Sequence, residues 1–233
     1  MAVAVLTRAY LRIRLVDRRH LPPGSAIYCF NHLGWTDPFV LMAVLPPRPR
    51  LFFFGPREED MRVGGRNRVM LWTGAAIPYR PGKDDLLGAT RRVSAVVAAG
   101  GVVAIAGEGR IHASESELWP LNDGAAYFAL RNRIPIVPIA INGTSWLRFR
   151  GRVTVRVGQP IPAGDRPSHE AIEALTRQTW ATLHAMVRDA PEVPVPGRAG
   201  RWVTDRFNDW PEGSREATRA AGAANRPDVP DGN

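Results

Sequence analysis

Short apolar runs alternate with segments of helical periodicity through the middle of the chain, and this alternation limits the fold more than any other feature. The predicted strands cover residues 26–30, 51–54, 76–79, 102–106, 136–141 and 153–157. The predicted helices cover residues 38–44, 65–73, 84–99, 125–131 and 168–188. Short apolar runs bounded by turn residues are typical of buried strands, and a 3.6-residue apolar period is typical of helices. Strands separated by helices favour an α/β fold, a layered mixed sheet flanked by helices.

The predicted elements end near residue 190, which indicates one domain over residues 1–190 and a tail over residues 191–233. A chain of 233 residues is long enough to bury a substantial core. The tail is rich in Pro, Gly and Ala and is expected to be partly disordered. Trp202, Phe207 and Trp210 are candidates to dock a short part of it on the domain.

The first 20 residues contain a candidate amphipathic helix for membrane contact. Apolar residues follow one side of it with arginines between them: Val3, Leu6, Tyr10 and Ile13. The alternative is a helix packed on its own domain, and the sequence leaves both open. No stretch approaches the roughly 18 uninterrupted apolar residues of a membrane span.

The charge balance favours anionic partners. Lys and Arg together number 31 against 22 Asp and Glu, a net charge of +9, and Lys83 is the only lysine. Such a surplus suits nucleic acid, phosphate-bearing molecules or an acidic membrane surface. The single cysteine, Cys29, excludes an intramolecular disulfide and lies in an apolar run, so we expect a buried, inert thiol in a reducing compartment.

A histidine and a carboxylate, His32 and Asp37, lie five positions apart where the first predicted strand meets the first predicted helix. A His with a carboxylate partner can act as a general base on a hydroxyl, and a hydroxyl that attacks an acyl carbonyl performs acyl transfer. The alternative is a satisfied polar His at a turn and an Asp that caps a helix. The two other histidines considered, His20 and His112, are expected at the surface.

Three further motifs follow in order, each beside a predicted strand. The four motifs together are Asn-His-Leu-Gly-Trp-Thr-Asp (31–37), Gly-Ala-Ala-Ile-Pro-Tyr-Arg (74–80), Ile-Ala-Gly-Glu-Gly-Arg-Ile (105–111) and Ile-Pro-Ile-Val-Pro-Ile-Ala-Ile-Asn-Gly (134–143). In identity and order they resemble the glycerolipid acyltransferase family, which includes lysophosphatidate and glycerol-3-phosphate acyltransferases. The resemblance covers about residues 10–165 and implies that family's fold and activity.

The resemblance also implies roles for individual residues. His32 and Asp37 are the catalytic pair, and Arg80 contacts the phosphate of the acceptor. Further substrate-binding candidates are Asn31, Glu108, Gly109 and Arg110. Asn31 is also expected to order the turn through hydrogen bonds to the backbone, and Glu108 to orient an arginine or hold an acceptor hydroxyl.

The third motif departs from the family pattern. Ala106-Gly107 stands where Phe-Pro is usual, and Arg110-Ile111 where Thr-Arg is usual, so the arginine lies one position early. This departure bears on the identity of the acceptor more than on the type of reaction. A lysophosphatidate-like acceptor, another lysolipid and a glycolipid or natural-product acceptor all remain candidates.

The resulting hypothesis is an O-acyltransferase that moves a fatty acyl group from acyl-CoA or acyl carrier protein to a lysolipid hydroxyl. It needs no covalent acyl-enzyme, no metal and no resident cofactor, since the acyl thioester is a co-substrate. Its expected location is the cytoplasm, peripherally on the inner face of the membrane, without nucleic acid as a partner. The competing hypothesis is a non-catalytic basic module that binds membranes or nucleic acid.

Overall fold

The computed structural model describes residues 2–56, 70, 72–79, 85–164 and 166–208. Its helices are α1 (Ala2–Tyr10), α2 (Asp37–Val44), α3 (Leu86–Ala98), α4 (Gly124–Asn132), α5 (His169–Val187) and α6 (Arg198–Asn208), with a short 3₁₀ helix at Arg18–His20. Its strands are β1 (Arg12–Val16), β2 (Ile27–Phe30), β3 (Leu51–Pro56), β4 (Ala76–Tyr79), β5 (Val102–Ala106), β6 (Ile136–Asn142) and β7 (Arg152–Val157).

The described strands form one mixed sheet of seven strands in the order β1-β7-β6-β2-β5-β3-β4. Strands β2 to β6 run parallel to one another, β7 runs antiparallel to β6, and β1 runs parallel to β7. The sheet is flanked by helices, so the predicted α/β fold is confirmed. The central strands are buried on both faces, which explains why their sequences are continuous apolar runs.

Alternate side chains of β2 show how the two faces of the sheet are covered. Tyr28 and Phe30 pack in the cluster that includes residues of α2 and partly buried residues of α1. Ile27 and Cys29 point to the opposite cluster, which contains residues of α3, α4 and α5. Because successive strand side chains point to opposite faces, one short strand anchors both layers of the domain.

The N-terminal helix is shorter than expected. It ends at Tyr10, and the next residues form β1, which pairs in parallel with β7. The Arg-Ile-Arg-Leu-Val sequence of β1 alternates charged and apolar residues, a period of two that suits a half-exposed strand better than a helix. Its partner strand begins 140 residues later in the chain, at Arg152, and supplies the hydrogen bonds that favour the strand.

Part of the predicted tail is structured, because α6 begins at Arg198 and packs on the domain. The Thr204 hydroxyl accepts a hydrogen bond from the backbone N–H of Leu147 at 2.8 Å. Residues 209–233 lie outside the described residues, as does most of the helix predicted at 65–73. Within the described part of the chain, no helix is both long and apolar enough to cross a bilayer.

Candidate active site

The site lies where three neighbouring parallel strands end. In the register of the sheet Phe30 of β2 is paired with Ala106 of β5 and with Ile139 of β6. The carboxyl ends of these strands therefore meet at one edge, the usual place for a ligand site in an α/β sheet. His32 follows β2 and Glu108 follows β5, which explains how motifs far apart in sequence come together.

The structure brings His32 and Asp37 together as the spacing predicts. Nδ1 of His32 lies 2.9 Å from Oδ2 of Asp37. The Asp37 side chain is fully buried, whereas 14% of the His32 side chain is exposed. The imidazole therefore reaches the surface with a buried carboxylate behind it.

Asp37 is held from two sides. Its Oδ2 also accepts the backbone N–H groups of Leu33 at 2.7 Å and Gly34 at 3.0 Å. Its Oδ1 accepts the hydroxyl of Thr144 at 2.6 Å. An ionised carboxylate only accepts, so Nδ1 of His32 must carry the proton. The lone pair is then on Nε2, which has no partner among the described residues and is available as a base.

Glu108 holds the backbone of His32 in place. Its Oε2 accepts the His32 backbone N–H at 2.8 Å, and its Oε1 accepts the Trp119 backbone N–H at 2.9 Å. The carbonyl of His32 in turn accepts the backbone N–H of His112 at 3.1 Å. The buried Glu108 thus ties the loop after β5 to the loop after β2, and its described contacts are with His32, His112 and Trp119.

His112 is buried, so the expectation of a surface residue was wrong. Its Nε2 lies 2.9 Å from Oε1 of Glu108, and its ring stacks on Trp119 with centroids 5.5 Å apart. Burial acts to lower the pKa of His112, but the charge and hydrogen bonding of Glu108, with the charges of Asp37 and Glu117, raise it above its ordinary value of 6.5. When His112 is protonated, it forms a buried ion pair with Glu108 next to the His32 backbone.

Gly109 and Arg110, the other predicted site residues of the third motif, are exposed at the rim of the site. Gly109 has a φ of +69°, a left-handed conformation that turns the chain out of β5 and that glycine adopts without strain. Arg110 is exposed, and its guanidinium lies 5.1 Å from the centroid of the Trp119 ring. This cation–π contact leaves the guanidinium facing solvent beside the site.

Asn31 is fully buried and spans two strands. Its Oδ1 accepts the N–H of Ile141 at 2.7 Å, and its Nδ2 donates to the carbonyl of the same residue at 2.9 Å. The side chain thus binds backbone, as expected of it, but the backbone is that of β6 rather than of its own turn. Arg80, the predicted phosphate contact, lies outside the described residues.

Sequence reasoning missed two buried polar residues of the site, Thr144 and Glu115. Thr144 directly follows the fourth motif, and its hydroxyl binds Asp37. Glu115 accepts the backbone N–H groups of Gly143 at 2.7 Å and Ser145 at 3.0 Å. The position of Thr144 two residues after a strand that ends at the site edge is the signal that could have found it.

Cys29 is fully buried, as predicted. Burial, with a smaller effect from the charge of Glu108, raises the pKa of its thiol to about 12. A thiol of this kind is a poor nucleophile at neutral pH.

A cavity of about 630 Å³ lies at the opposite end of the strands, away from His32. It is lined in part by Tyr28, Leu51 and the exposed Arg18, Arg48 and Arg50. None of the predicted site residues that the structure describes lines it. The arrangement of titratable groups, rather than this cavity, therefore identifies the candidate site.

Two comparisons with known proteins bear on the family and the fold of the chain. A family model described as Acyltransferase matches residues 12–142, more than half of the chain. The fold is similar to the crystal structure of the 1-acyl-sn-glycerophosphate (LPA) acyltransferase, PlsC, from Thermotoga maritima. The TM-score is 0.62 at 12% sequence identity, and the match covers 82% of this chain and 80% of that chain. At this identity the structural likeness concerns the fold.

Proposed function

The chain belongs to the acyltransferase family, and from that premise we propose that it transfers a fatty acyl group from acyl-CoA or acyl carrier protein to the hydroxyl of a lysophosphatidate-like lysolipid. The observation that carries the proposal is the contact of His32 with the buried carboxylate of Asp37. The geometry leaves Nε2 as the basic atom at the surface of the domain, where an acceptor hydroxyl can approach.

In the proposed reaction, Nε2 of His32 removes the proton of the acceptor hydroxyl as its oxygen attacks the thioester carbonyl. The tetrahedral intermediate collapses, the carbon–sulfur bond breaks, and the imidazolium returns the proton to the departing thiolate. Asp37 stabilises the imidazolium and keeps the ring in one tautomer. General-base assistance of this kind contributes roughly 10²–10⁴-fold to a rate.

The acyl group passes directly from donor to acceptor in this scheme. A covalent acyl-enzyme would require a nucleophilic side chain at the site. Cys29 is unsuited to that role because it is buried and its thiol pKa is raised to about 12.

We propose Arg110 as a second contact for an anionic head group, beside the Arg80 contact that the family resemblance implies. Arg110 is exposed at the rim and is oriented by Trp119. A guanidinium suits a phosphate because it can donate two parallel hydrogen bonds. This arrangement favours a phosphate-bearing lysolipid over an uncharged acceptor.

An apolar patch (Val5, Leu6 and Phe149) supports the proposal of peripheral membrane association. These side chains are between 64% and 69% exposed. The ring of Phe149 lies edge-on to Tyr10 with centroids 5.9 Å apart, so the patch joins α1 to the loop before β7.

The part of the apolar patch that Phe149 forms lies on the side of the sheet that carries the candidate active site. The loop that carries Phe149 leaves β6 at the same edge of the sheet at which His32 and Thr144 lie. Exposed arginines flank Phe149 on both sides, at Arg148 and Arg150. Apolar side chains flanked by cations suit an anionic bilayer surface, from which a lysolipid can reach the site edge.

The experiment that tests the function is thiol release from acyl-CoA in the presence of lysophosphatidate, with His32→Ala as the inactive variant. We expect wild-type release to depend on the acceptor and the variant to lose nearly all of it while its circular dichroism and melting temperature stay unchanged. Full turnover by folded His32→Ala would refute the mechanism. Liposome binding by the wild type without thiol release, for any of a panel of lysolipids and with either donor, would favour the non-catalytic module.

A further inference from the structure

Glu115 is a buried carboxylate that the proposed reaction does not use. It is fully buried, and each of its oxygens accepts one backbone N–H from the turn after β6, Gly143 on one and Ser145 on the other. Burial raises the pKa of this carboxyl, and hydrogen bonds from the Ser145 side chain and from both N–H groups oppose that effect. Burying a carboxyl group costs free energy unless its oxygens are hydrogen-bonded. The contacts of Glu115 with the turn therefore account for its burial.

The backbone of Glu115 is itself fixed at two points. Its N–H donates to Oε1 of Glu192 at 2.9 Å, and its carbonyl accepts Nδ2 of Asn142 at 3.1 Å. Glu192 also accepts the Ser114 hydroxyl at 2.6 Å. The segment after α5 therefore helps to hold Glu115 under the turn.

The turn that Glu115 binds carries Thr144. Gly143 begins it with a φ of +101°, and a Cβ at that position would collide with the carbonyl oxygen of Arg152. Between the two N–H groups bound by Glu115, the Thr144 side chain is directed at Asp37 and donates to its Oδ1 at 2.6 Å. A chain of contacts thus runs from Glu115 through the turn to the carboxylate behind His32.

We propose that Glu115 and Thr144 are positioning residues of this site, Glu115 by fixing the turn at 143–145 and Thr144 by fixing the orientation of the Asp37 carboxylate. This inference rests on the proposed function. Thr144 is the only described donor to Oδ1, whereas Oδ2 binds three groups. Without the hydroxyl, Oδ1 is left unpaired in a buried site, and the carboxylate can rotate away from Nδ1 of His32.

The first test compares Thr144→Val, which keeps the shape but removes the donor, with Thr144→Ser, which keeps the donor. In thiol-release assays we expect Thr144→Val to lower kcat roughly 10- to 100-fold with little change in the KM of the acceptor, since misplacement by about 1 Å can cost a factor of about 100. Thr144→Ser should recover most of the rate. Thr182→Val, an exposed hydroxyl on α5, is the matched control and should behave as wild type.

Glu115→Gln provides the second arm, because one N–H of the turn then faces an amide NH₂ instead of an oxygen. We expect a similar loss in kcat, and the Glu115→Gln/Thr144→Val double variant should be no slower than the slower single variant, because both act through one contact. Multiplicative losses would overturn the proposal that Glu115 acts through Thr144. If Glu115→Gln does not fold, the Thr144→Val and Thr144→Ser pair decides the role of Thr144 on its own.

A measurement without substrate separates this inference from the proposed function. In ¹⁵N-detected imidazole NMR, the Nδ1–H signal of His32, assigned by its loss in His32→Ala, should be altered or broadened in Thr144→Val and preserved in Thr144→Ser. An unchanged signal together with a wild-type kcat in Thr144→Val would overturn the inference and leave the proposed function intact. Absence of thiol release by the wild type would refute the proposed function, and full turnover by His32→Ala would refute the proposed mechanism, while the NMR comparison would still decide the positioning role.

Discussion

Replacing Asp37 with Asn removes a charge while the geometry of the site can be retained. The amide oxygen can take the place of Oδ2, because the N–H groups of Leu33 and Gly34 and Nδ1 of His32 all donate there. The amide NH₂ then faces Thr144, whose hydroxyl can rotate and accept. The opposite orientation would place the NH₂ against two backbone donors and is disfavoured. The variant should therefore keep the productive tautomer of His32.

The decrease in kcat of Asp37→Asn then measures the effect of the Asp37 charge alone. Two unit charges about 4 Å apart interact by about 4 kcal/mol at an effective dielectric constant of 20. The attraction develops as His32 takes up a proton, so its loss raises the barrier, and about 1.36 kcal/mol corresponds to a factor of ten. Since the Asn oxygen still accepts a neutral hydrogen bond, we expect kcat to fall by roughly 10²–10³.

Asp37→Ala is the contrasting variant. It leaves the buried N–H groups of Leu33 and Gly34 and the hydroxyl of Thr144 without an acceptor, and each lost partner costs about 1–3 kcal/mol. Urea denaturation should therefore show a loss of at least about 3 kcal/mol for Asp37→Ala and a much smaller loss for Asp37→Asn. Asp37→Asn activity within threefold of wild type would refute the argument that the Asp37 charge stabilises the imidazolium. So would a further loss when Asp37→Asn is added to His32→Ala.

Three further predictions concern the surroundings of the site. Arg110→Ala should raise the KM of a phosphate-bearing acceptor several-fold and leave that of acyl-CoA unchanged; equal effects on both would contradict a head-group contact, and Arg80→Ala tests the other implied contact in the same way. The pKa of His112 in the folded state is raised above 6.5. The contribution of protonated His112 to the free energy of unfolding is therefore complete below pH 6.5 and is lost as the pH rises through the folded-state pKa. The stability gap between wild type and His112→Gln, from urea unfolding at pH 5.5 to 9, should therefore narrow with rising pH, and a constant gap would count against the ion pair. Phe149→Asp should weaken sedimentation with anionic liposomes at least several-fold, with the partly exposed Thr182→Asp as control, while unchanged sedimentation would exclude the apolar patch as the contact.

The predicted strands agree with the structure because short apolar runs leave few alternatives. The strand predicted at 102–106 coincides with β5, and that at 76–79 with β4. β1 escaped prediction because its arginines fit a polar helix face as well as an exposed strand face. Only its pairing with β7, from Arg12↔Arg152 to Val16↔Arg156, selects between them. α6 escaped because its packing on Leu147 depends on a contact 57 positions away.

The same distinction between local and distant contacts applies to the site. His32 and Asp37 are five positions apart, so a strand-to-helix connection suffices to bring them together, and the sequence predicted their contact. Thr144 is 107 positions from Asp37, and no spacing rule links the two. The resemblance to a family placed the third motif at the site but could not supply the partners of Glu108, which are the backbone N–H groups of His32 and Trp119 and the buried ring of His112.

The same kind of contact, between a buried carboxylate and backbone N–H groups, holds the three loops of the site together. Three buried carboxylates accept backbone N–H groups of these loops: Asp37 binds the loop after β2, while Glu108 and Glu115, both in the loop after β5, bind the N–H of His32 and the turn after β6. A buried carboxylate that accepts backbone N–H groups fixes the position of the backbone, and its own side chain does not occupy the surface at which the substrate is proposed to bind. The orientation of His32 is therefore set by groups beneath the surface, and the exposed Arg110 takes no part in it. Acceptor specificity can consequently change at the rim, as the shifted arginine of the third motif indicates, without disturbing the geometry of the proposed base.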